Sequence, residues 1–230
     1  LYERCRSIVE EIDALRDEAS GIRGEPSGTL RINVPITLGK KVIVPALARL
    51  SRRYPKILLE VAFSDRFADL VKEGLDAVVR VGQLGDSTLV AKRIGQQTMT
   101  VCGSPGYFET HDLPKTPDEI TGQRCLVFRM PTSGRLWPWR FQNGRRAIEL
   151  TPDSYVAMND GEALVSAAAE GMGLIQVPDY MTTDELRSGR LVEVLAPFRP
   201  APMPISVVYA SKRRVTPRLR ALIEALGTIQ

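Results

Sequence analysis

GTLRINVPITLGKKVIVPALARLSRRYPKILLEVAFSDRFADLVKEGLDAVVRVG, residues 28–82, decides the fold. Leu30, Ile32 and Val34 alternate with polar or small neighbours and stop at Pro35, which predicts a strand. Val42, Ala46, Leu47 and Leu50 then share one face of a helix that ends at Tyr54-Pro55. Ile57–Phe63 is extended and apolar. Ser64-Asp65 is expected to open a second helix carrying Phe67, Leu70 and Val71 and ending at Gly74, before a third strand, Asp76–Val81. Strands alternating with helices of this length imply right-handed crossovers and a parallel sheet. Such sheets bind ligands beyond the carboxyl ends of their strands, here Pro35–Thr37, Ser64–Arg66 and Val81–Gly82.

Upstream, Leu1, Cys5, Ile8, Ile12, Leu15 and Ala19 recur at heptad spacing, with Arg4, Glu11, Arg16 and Glu18 on the flanks. This predicts a dimerising stalk, or else an amphipathic helix packed on its own domain. A linker, Gly24–Gly28, follows. The chain starts without Met and without an apolar leader, as a chain beginning mid-protein would.

Downstream, Leu89–Ile94, Thr98–Cys102, Cys125–Phe128, Ser154–Met158, Leu174–Val177, Leu191–Leu195 and Ile205–Tyr209 read as strands. Trp137–Phe141 and Ala147–Leu150 read as a hairpin about Asn143-Gly144. Helices are expected after Ser104-Pro105, from Asn159-Asp160 to Glu170, from Pro178-Asp179 to Ser188, and after Thr216-Pro217. The strand–helix–strand order of 28–82 is echoed at 154–177. The economical arrangement is an α/β fold of two Rossmann-like lobes sharing a cleft, lobe I from 28–95 and 205–230 and lobe II from 98–200. The chain would cross near 95–98 and return through the proline-rich 197–204.

Composition narrows the function. Apolar residues make up 43% and charged residues 25%, an ordinary globular balance, and no run of eighteen apolar residues offers a membrane span. The net charge of +4 is mild. Cys5, Cys102 and Cys125 form no CxxC pair and no disulfide framework, which points to a reducing compartment, the cytoplasm. The single histidine, His111, excludes a His-rich metal site, and its Glu-Thr-His-Asp-Leu-Pro setting reads as a surface loop. No convergent acid, base and nucleophile emerge, so neither catalysis nor a cofactor is expected.

The block Ser64–Gly82 resembles the effector-binding domain of LysR-type transcriptional regulators. So do Leu30-Arg31-Ile32-Asn33-Val34-Pro35, Val44-Pro45-Ala46-Leu47 with Arg53-Tyr54-Pro55, and Ser104-Pro105-Gly106-Tyr107-Phe108. Asn159–Leu164 through Gly171–Ile175, and Tyr209–Arg213, fit as well. The likeness runs over about 28–227 in family order. It implies a two-lobed domain like the type 2 periplasmic binding proteins, preceded by the end of a linker helix (1–24). Such a domain senses a small anionic or aromatic molecule in its cleft and alters how an attached helix-turn-helix holds DNA. No helix-turn-helix is present here, so DNA would be reached only through a missing N-terminal domain. A homodimer through the stalk, or a homotetramer, is implied. A solute-binding protein of a transport system shares this architecture and stays open as the alternative, as does an enzyme on the same fold.

Seven residues are candidates for the effector site. Thr37 stands at the amino end of the first helix, where an anion is favoured, or simply caps it. Ser64 and Arg66 end the second strand, and Arg66 could grip a carboxylate with two bonds; Asp65 between them reads as an N-cap. Thr100 shares a strand face with Thr98. Phe128 and Arg129 end a strand of lobe II, one a core candidate and the other an anion contact. Asn159, with Asp160, starts a helix. Cys102 lacks a basic neighbour in sequence that would make it a redox switch.

Overall fold

Alternation of apolar residues in β1 (Gly28–Val34) buries Leu30, Ile32 and Val34 completely on one face, worth about 1.5–3 kcal/mol for each side chain. The protein is described here by a computed structural model covering residues 25–66, 69–70, 72–83, 89–210 and 215–227. The expected stalk at 1–19, with Cys5, lies outside the described residues. These divide into two compact units: unit 1 runs to Gly95 and resumes at Pro204, and unit 2 is Gln96–Met203.

In unit 1 the chain leaves β1 through Pro35 into α1, a continuous helix over 36–53. It is built of an α-helical turn Ile36–Leu38, a π-helical stretch Gly39–Ile43 and an α-helix Val44–Arg53. The π-stretch has a local cause. Pro45 has no N–H to give and its ring would press on the carbonyl four residues back, so the preceding turn widens and the Val44 N–H donates to the Gly39 carbonyl. Gly39 also lets the helix sit close to the strand ends: a Cβ there would lie 2.6 Å from Val34 Cγ2 and 2.7 Å from the Phe63 ring. Strand β2 (Ile57–Phe63) pairs in parallel with β1, from Gly28 opposite Ile57 to Val34 opposite Phe63.

The second helix expected from Ser64-Asp65 to Gly74 does not form in the described residues, which make bends and turns; Phe67 and Val71 lie outside them. Its short polar side chains are spent on neighbouring backbone instead. Ser64 Oγ accepts from Arg66 N, Asp69 Oδ1 from Lys72 N, and Glu73 Oε1 from Asp69 N.

Strand β3 (Ala77–Val81) is parallel to β1. Asp76 clips its start to that strand: its N–H donates to the Arg31 carbonyl at 2.8 Å, and its carboxylate accepts from Arg31 N at 2.9 Å. The sheet is nevertheless mixed, not purely parallel as residues 28–82 lead one to expect. Strand β4 (Leu89–Gln97) and the late strand β12 (Met203–Ala210) complete the order β2-β1-β3-β12-β4, and β12 runs antiparallel to β3.

Unit 2 holds the other five-stranded sheet. Its strands are β5 (Met99–Gly103), β6 (Cys125–Phe128), β9 (Ser154–Met158), β10 (Leu174–Pro178) and β11 (Val192–Val194), in the order β11-β5-β10-β6-β9. β6, β9 and β10 are parallel; β5 and β11 meet their neighbours antiparallel. Short α2 (Pro105–Phe108) follows β5. Helices α3 (Gly161–Ala169) and α4 (Asp179–Arg187) follow β9 and β10 and cover one face, where Leu126, Leu164, Val165, Ala168, Ile175 and Val177 form the core. The opposite face is covered by the hairpin β7 (Trp139–Asn143) and β8 (Arg146–Leu150), whose Trp139 and Phe141 pack on Val101, Tyr107, Val127 and Leu174. Gln176 fastens this hairpin to the sheet: its Oε1 accepts from Arg140 N and its Nε2 donates to Arg140 O, both at 2.8 Å.

The last helix, α5 (Pro217–Leu226), returns to unit 1, capped by Thr216 Oγ1, which accepts from Leu219 N, and packs against α1. Among the described residues no helix is long and apolar enough to cross a membrane.

Candidate functional site

Parallel pairing brings the first group of candidates together. Val34 and Phe63 end β1 and β2 side by side, and Ser64 N donates to the Val34 carbonyl at 2.9 Å. Thr37 therefore starts α1 next to the segment Ser64–Arg66. The cap of α1 is not Thr37: the cap position is Pro35, and Asp65 Oδ1 accepts from Ile36 N at 3.0 Å. Asp65 caps a helix, as the sequence suggests, but the preceding one, supplied across the sheet rather than along the chain. Thr37 is 6% exposed, and Arg66 is exposed.

The second group lies in unit 2 at the carboxyl ends of β6 and β9. Phe128 pairs with Met158, and Arg129 N donates to the Met158 carbonyl at 2.7 Å. Asn159 comes directly after. The helix cap there belongs to Asp160, whose Oδ1 accepts from Ala163 N at 2.8 Å, so Asn159 stands free of the capping role expected for the pair and is exposed. Phe128 is partly buried against the α3 and α4 core. The Arg129 guanidinium donates through Nη1 to the Gly134 carbonyl at 2.8 Å and closes the turn 130–134.

Thr100 belongs to the same end of the sheet, opposite Val177 on β10, yet its side chain is 1% exposed and turned inward. Its hydroxyl donates to Glu193 Oε1 at 2.8 Å. Glu193 is gripped in turn by Arg199 through Nε at 2.6 Å and Nη2 at 2.7 Å. Burial pushes the Glu193 carboxyl up, but the Arg199 and Thr100 hydrogen bonds outweigh it and hold the group below the usual range. Thr98, the expected face-mate of Thr100, precedes the strand and donates to the Pro200 carbonyl. Cys102 lies 3.7 Å from the Thr100 hydroxyl. Burial raises its thiol to about 11 and that of Cys125 to about 12, which disfavours the reactive thiolate.

Sequence reasoning missed the Thr100–Glu193–Arg199 chain, because its first two members lie 93 residues apart and only the pairing of β11 with β5 joins them. His111 lies in a bend outside any helix or strand, as its sequence setting suggests, but its ring is not loose. Its ring stacks on Tyr107 at 4.0 Å between centroids, beside Arg124, Glu170 and Arg190 in a cavity of about 510 Å³ within unit 2. Among the described residues no three His, Cys, Asp or Glu side chains gather to hold a metal ion.

The sequence model of the LysR substrate binding domain matches residues 23–229. An HTH-type transcriptional regulator of Xanthomonas campestris pv. campestris is 31% identical over 229 residues, covering 99% of this chain and 67% of that protein. The HTH-type transcriptional regulator YhjC of Escherichia coli K12 is 30% identical over 236 residues, with coverages of 99% and 76%. In three dimensions the regulatory domain of CrgA, a LysR-type transcriptional regulator from Neisseria meningitidis, superposes with a TM-score of 0.77 at 26% identity, covering 88% of this chain and 98% of that domain. With two five-stranded α/β sheets of the type 2 periplasmic-binding-protein kind, and with this family match along nearly its whole length, the chain belongs to the LysR substrate binding domain family.

Proposed function

We propose that this chain is the ligand-sensing part of a cytoplasmic, DNA-binding transcriptional regulator, and that a small effector binds between its two units without being chemically changed. The observation that carries the reading is the family match over 23–229. The grouping of polar candidates at strand ends supports it: Thr37, Ser64 and Arg66 in unit 1, Phe128, Arg129 and Asn159 in unit 2. Thr100, the remaining candidate, has its hydroxyl committed to Glu193.

The effector's charge is met by side chains in this reading. Asp65 already holds the Ile36 amide and brings a negative charge to the start of α1. An anionic effector therefore needs Arg66 or Arg129 as its counter-charge, while an aromatic one needs only Phe128 and the hydroxyls. DNA is held through the helix-turn-helix that the relatives' names carry, in a homodimer or homotetramer. An effector that favours one arrangement of the units by about 1–3 kcal/mol suffices to change DNA affinity 5- to 150-fold.

Thermal-shift screening of the chain against small carboxylates and aromatics tests this. At least one compound should raise the melting temperature, and Thr37→Ala or Arg66→Gln should shrink the shift. If no compound stabilises the chain, or if the stabilising ones act equally on both variants, the assignment fails.

A further inference from the structure

The cavity beside His111 in unit 2, about 510 Å³, lies at the end of the sheet away from the effector candidates. Ser104 follows β5, Arg124 precedes β6 and Gly171 precedes β10, and all three line it. Phe128 and Arg129 lie at the other end of β6. At about 3.3 Å per strand residue, the backbones of Arg124 and Arg129 stand roughly 16 Å apart. The cavity is therefore a separate place on the molecule, which the effector reading does not use.

Its walls are fixed before any ligand arrives. Tyr107 is buried, and its hydroxyl donates to Gln123 Oε1 at 2.8 Å and accepts from Arg124 N at 3.0 Å. Gln123 Nε2 donates to the Asp112 carbonyl at 3.0 Å, which ties down the loop carrying His111. The His111 ring lies flat on Tyr107, with Nδ1 3.1 Å from the Tyr107 carbonyl oxygen. Arg124 is held on its other side too, since its carbonyl accepts from Leu174 N at 2.8 Å. Gly171 adds no bulk beside Ser104: a Cβ there would stand 3.5 Å from the Ser104 Oγ. A site ordered in advance spends little of its binding energy on ordering.

The lining side chains offer more donors than acceptors. The Arg124 guanidinium lies over the Tyr155 ring at 5.1 Å and makes no hydrogen bond or ion pair among the described residues. Arg190 reaches Glu170 only at 3.4 Å, with both side chains more than half exposed, which is a weak pair. Ser104 is 5% exposed. Its Oγ accepts from Tyr107 N at 3.2 Å, and its own proton has no acceptor among the described residues. A buried donor without an acceptor favours a guest that supplies one. Two guanidiniums against a single carboxylate favour a guest with negative charge.

We propose that this cavity is a second ligand site, taking a small carboxylate or phosphate compound whose acidic group binds Arg124 and Arg190 and accepts from the Ser104 hydroxyl. Glu170 competes for Arg190 and limits the affinity.

His111 is the single histidine of the chain, so its imidazole proton signals report on this cavity directly. The test follows them by nuclear magnetic resonance at fixed pH while inorganic phosphate or succinate is added, against sodium chloride at matched ionic strength. At least one of the two anions should shift the signals to saturation, and the tighter one gives the class. Arg124→Gln and Arg190→Gln should each weaken binding about tenfold. Glu170→Gln should strengthen it about threefold. Arg146→Gln, which removes an exposed arginine elsewhere in unit 2, should leave it unchanged. No saturable shift from either anion, a chloride shift of the same size, or titrations of Arg124→Gln and Arg190→Gln that match the parent would each overturn the proposal. The effector reading fails separately. A compound held by Thr37 and Arg66 should stabilise Arg124→Gln as much as the parent chain. Loss of its stabilisation in Arg124→Gln but not in Thr37→Ala would sink the effector reading and leave this site standing.

Discussion

Replacing Glu193 by Ala should destabilise unit 2 chiefly through a residue far from it in sequence, Thr100. The carboxylate accepts three hydrogen bonds: one from the Thr100 hydroxyl at 2.8 Å and two from Arg199 at 2.6 and 2.7 Å. The two kinds are not worth the same. Arg199 has a side chain 40% exposed, so water replaces much of what it loses, and its pair contributes about 0.5–1 kcal/mol. Thr100 is 1% exposed, and its hydroxyl otherwise faces a polarisable sulfur at 3.7 Å. Stranding that hydroxyl costs about 1–3 kcal/mol. Glu193→Ala should therefore cost about 1.5–4 kcal/mol in all, while Thr100→Val, which removes donor and need together, should cost about 1 kcal/mol. In the double variant the stranded hydroxyl is gone, so the two losses should fall short of additivity by more than about 1 kcal/mol. Both tryptophans of the chain, Trp137 and Trp139, lie in unit 2, so urea titrations followed by tryptophan fluorescence read that unit directly. The sign with pH is also fixed. The folded Glu193 carboxyl titrates below its ordinary value of 4.5, so its contribution is complete above about pH 4.5 and is lost as pH falls through the lower folded value. Losses additive to within about 0.3 kcal/mol, or a parent and a Glu193→Gln variant with the same acid profile, would refute this reasoning.

Gly173→Ala should prevent unit 2 from folding, since the new Cβ would stand 2.2 Å from the Arg124 carbonyl oxygen at a backbone φ of +156°; loss of soluble protein, or of the fluorescence transition, checks it. Asp65→Ala removes the cap supplied to α1 and should cost about 1 kcal/mol, measured by urea unfolding followed by far-ultraviolet circular dichroism, with Asp65→Asn largely restoring it. In a Cys5→Ser background, Cys102 and Cys125 should resist a thiol reagent at pH 8 until the chain is unfolded. Their folded values of about 11 and about 12 lie above the ordinary 9.0, so their contribution to stability is full below about pH 9. It is lost as pH climbs from 9 toward 11 and 12, by up to about 1.4 kcal/mol per pH unit for each thiol. Cys102→Ala/Cys125→Ala should flatten that alkaline limb.

Much of this architecture is written locally. Strand β1 follows from Leu30, Ile32 and Val34, and β2, β6 and β9 follow from short apolar runs bounded by turn residues. The caps at Thr216 and Asp160 follow from side chains that bond amides a few residues ahead. The α/β class comes from the alternation of such segments, and the family from the spread of recognisable blocks over 28–227. What the sequence by itself could not decide is where a polar side chain spends its hydrogen bonds. Asp65 has the right chemistry for a cap, but its choice of the Ile36 amide over its own segment needs β1 and β2 in register. Thr100 has a hydroxyl suited to a ligand, but the approach of β11 commits it to Glu193. The direction of β12, and with it the mixed sheet of unit 1, is likewise set by a chain that returns after leaving for unit 2. Periodicity reports which face of an element avoids water, because burial acts residue by residue. Hydrogen bonds between distant residues depend on which elements become neighbours, and that is decided only when the sheets assemble.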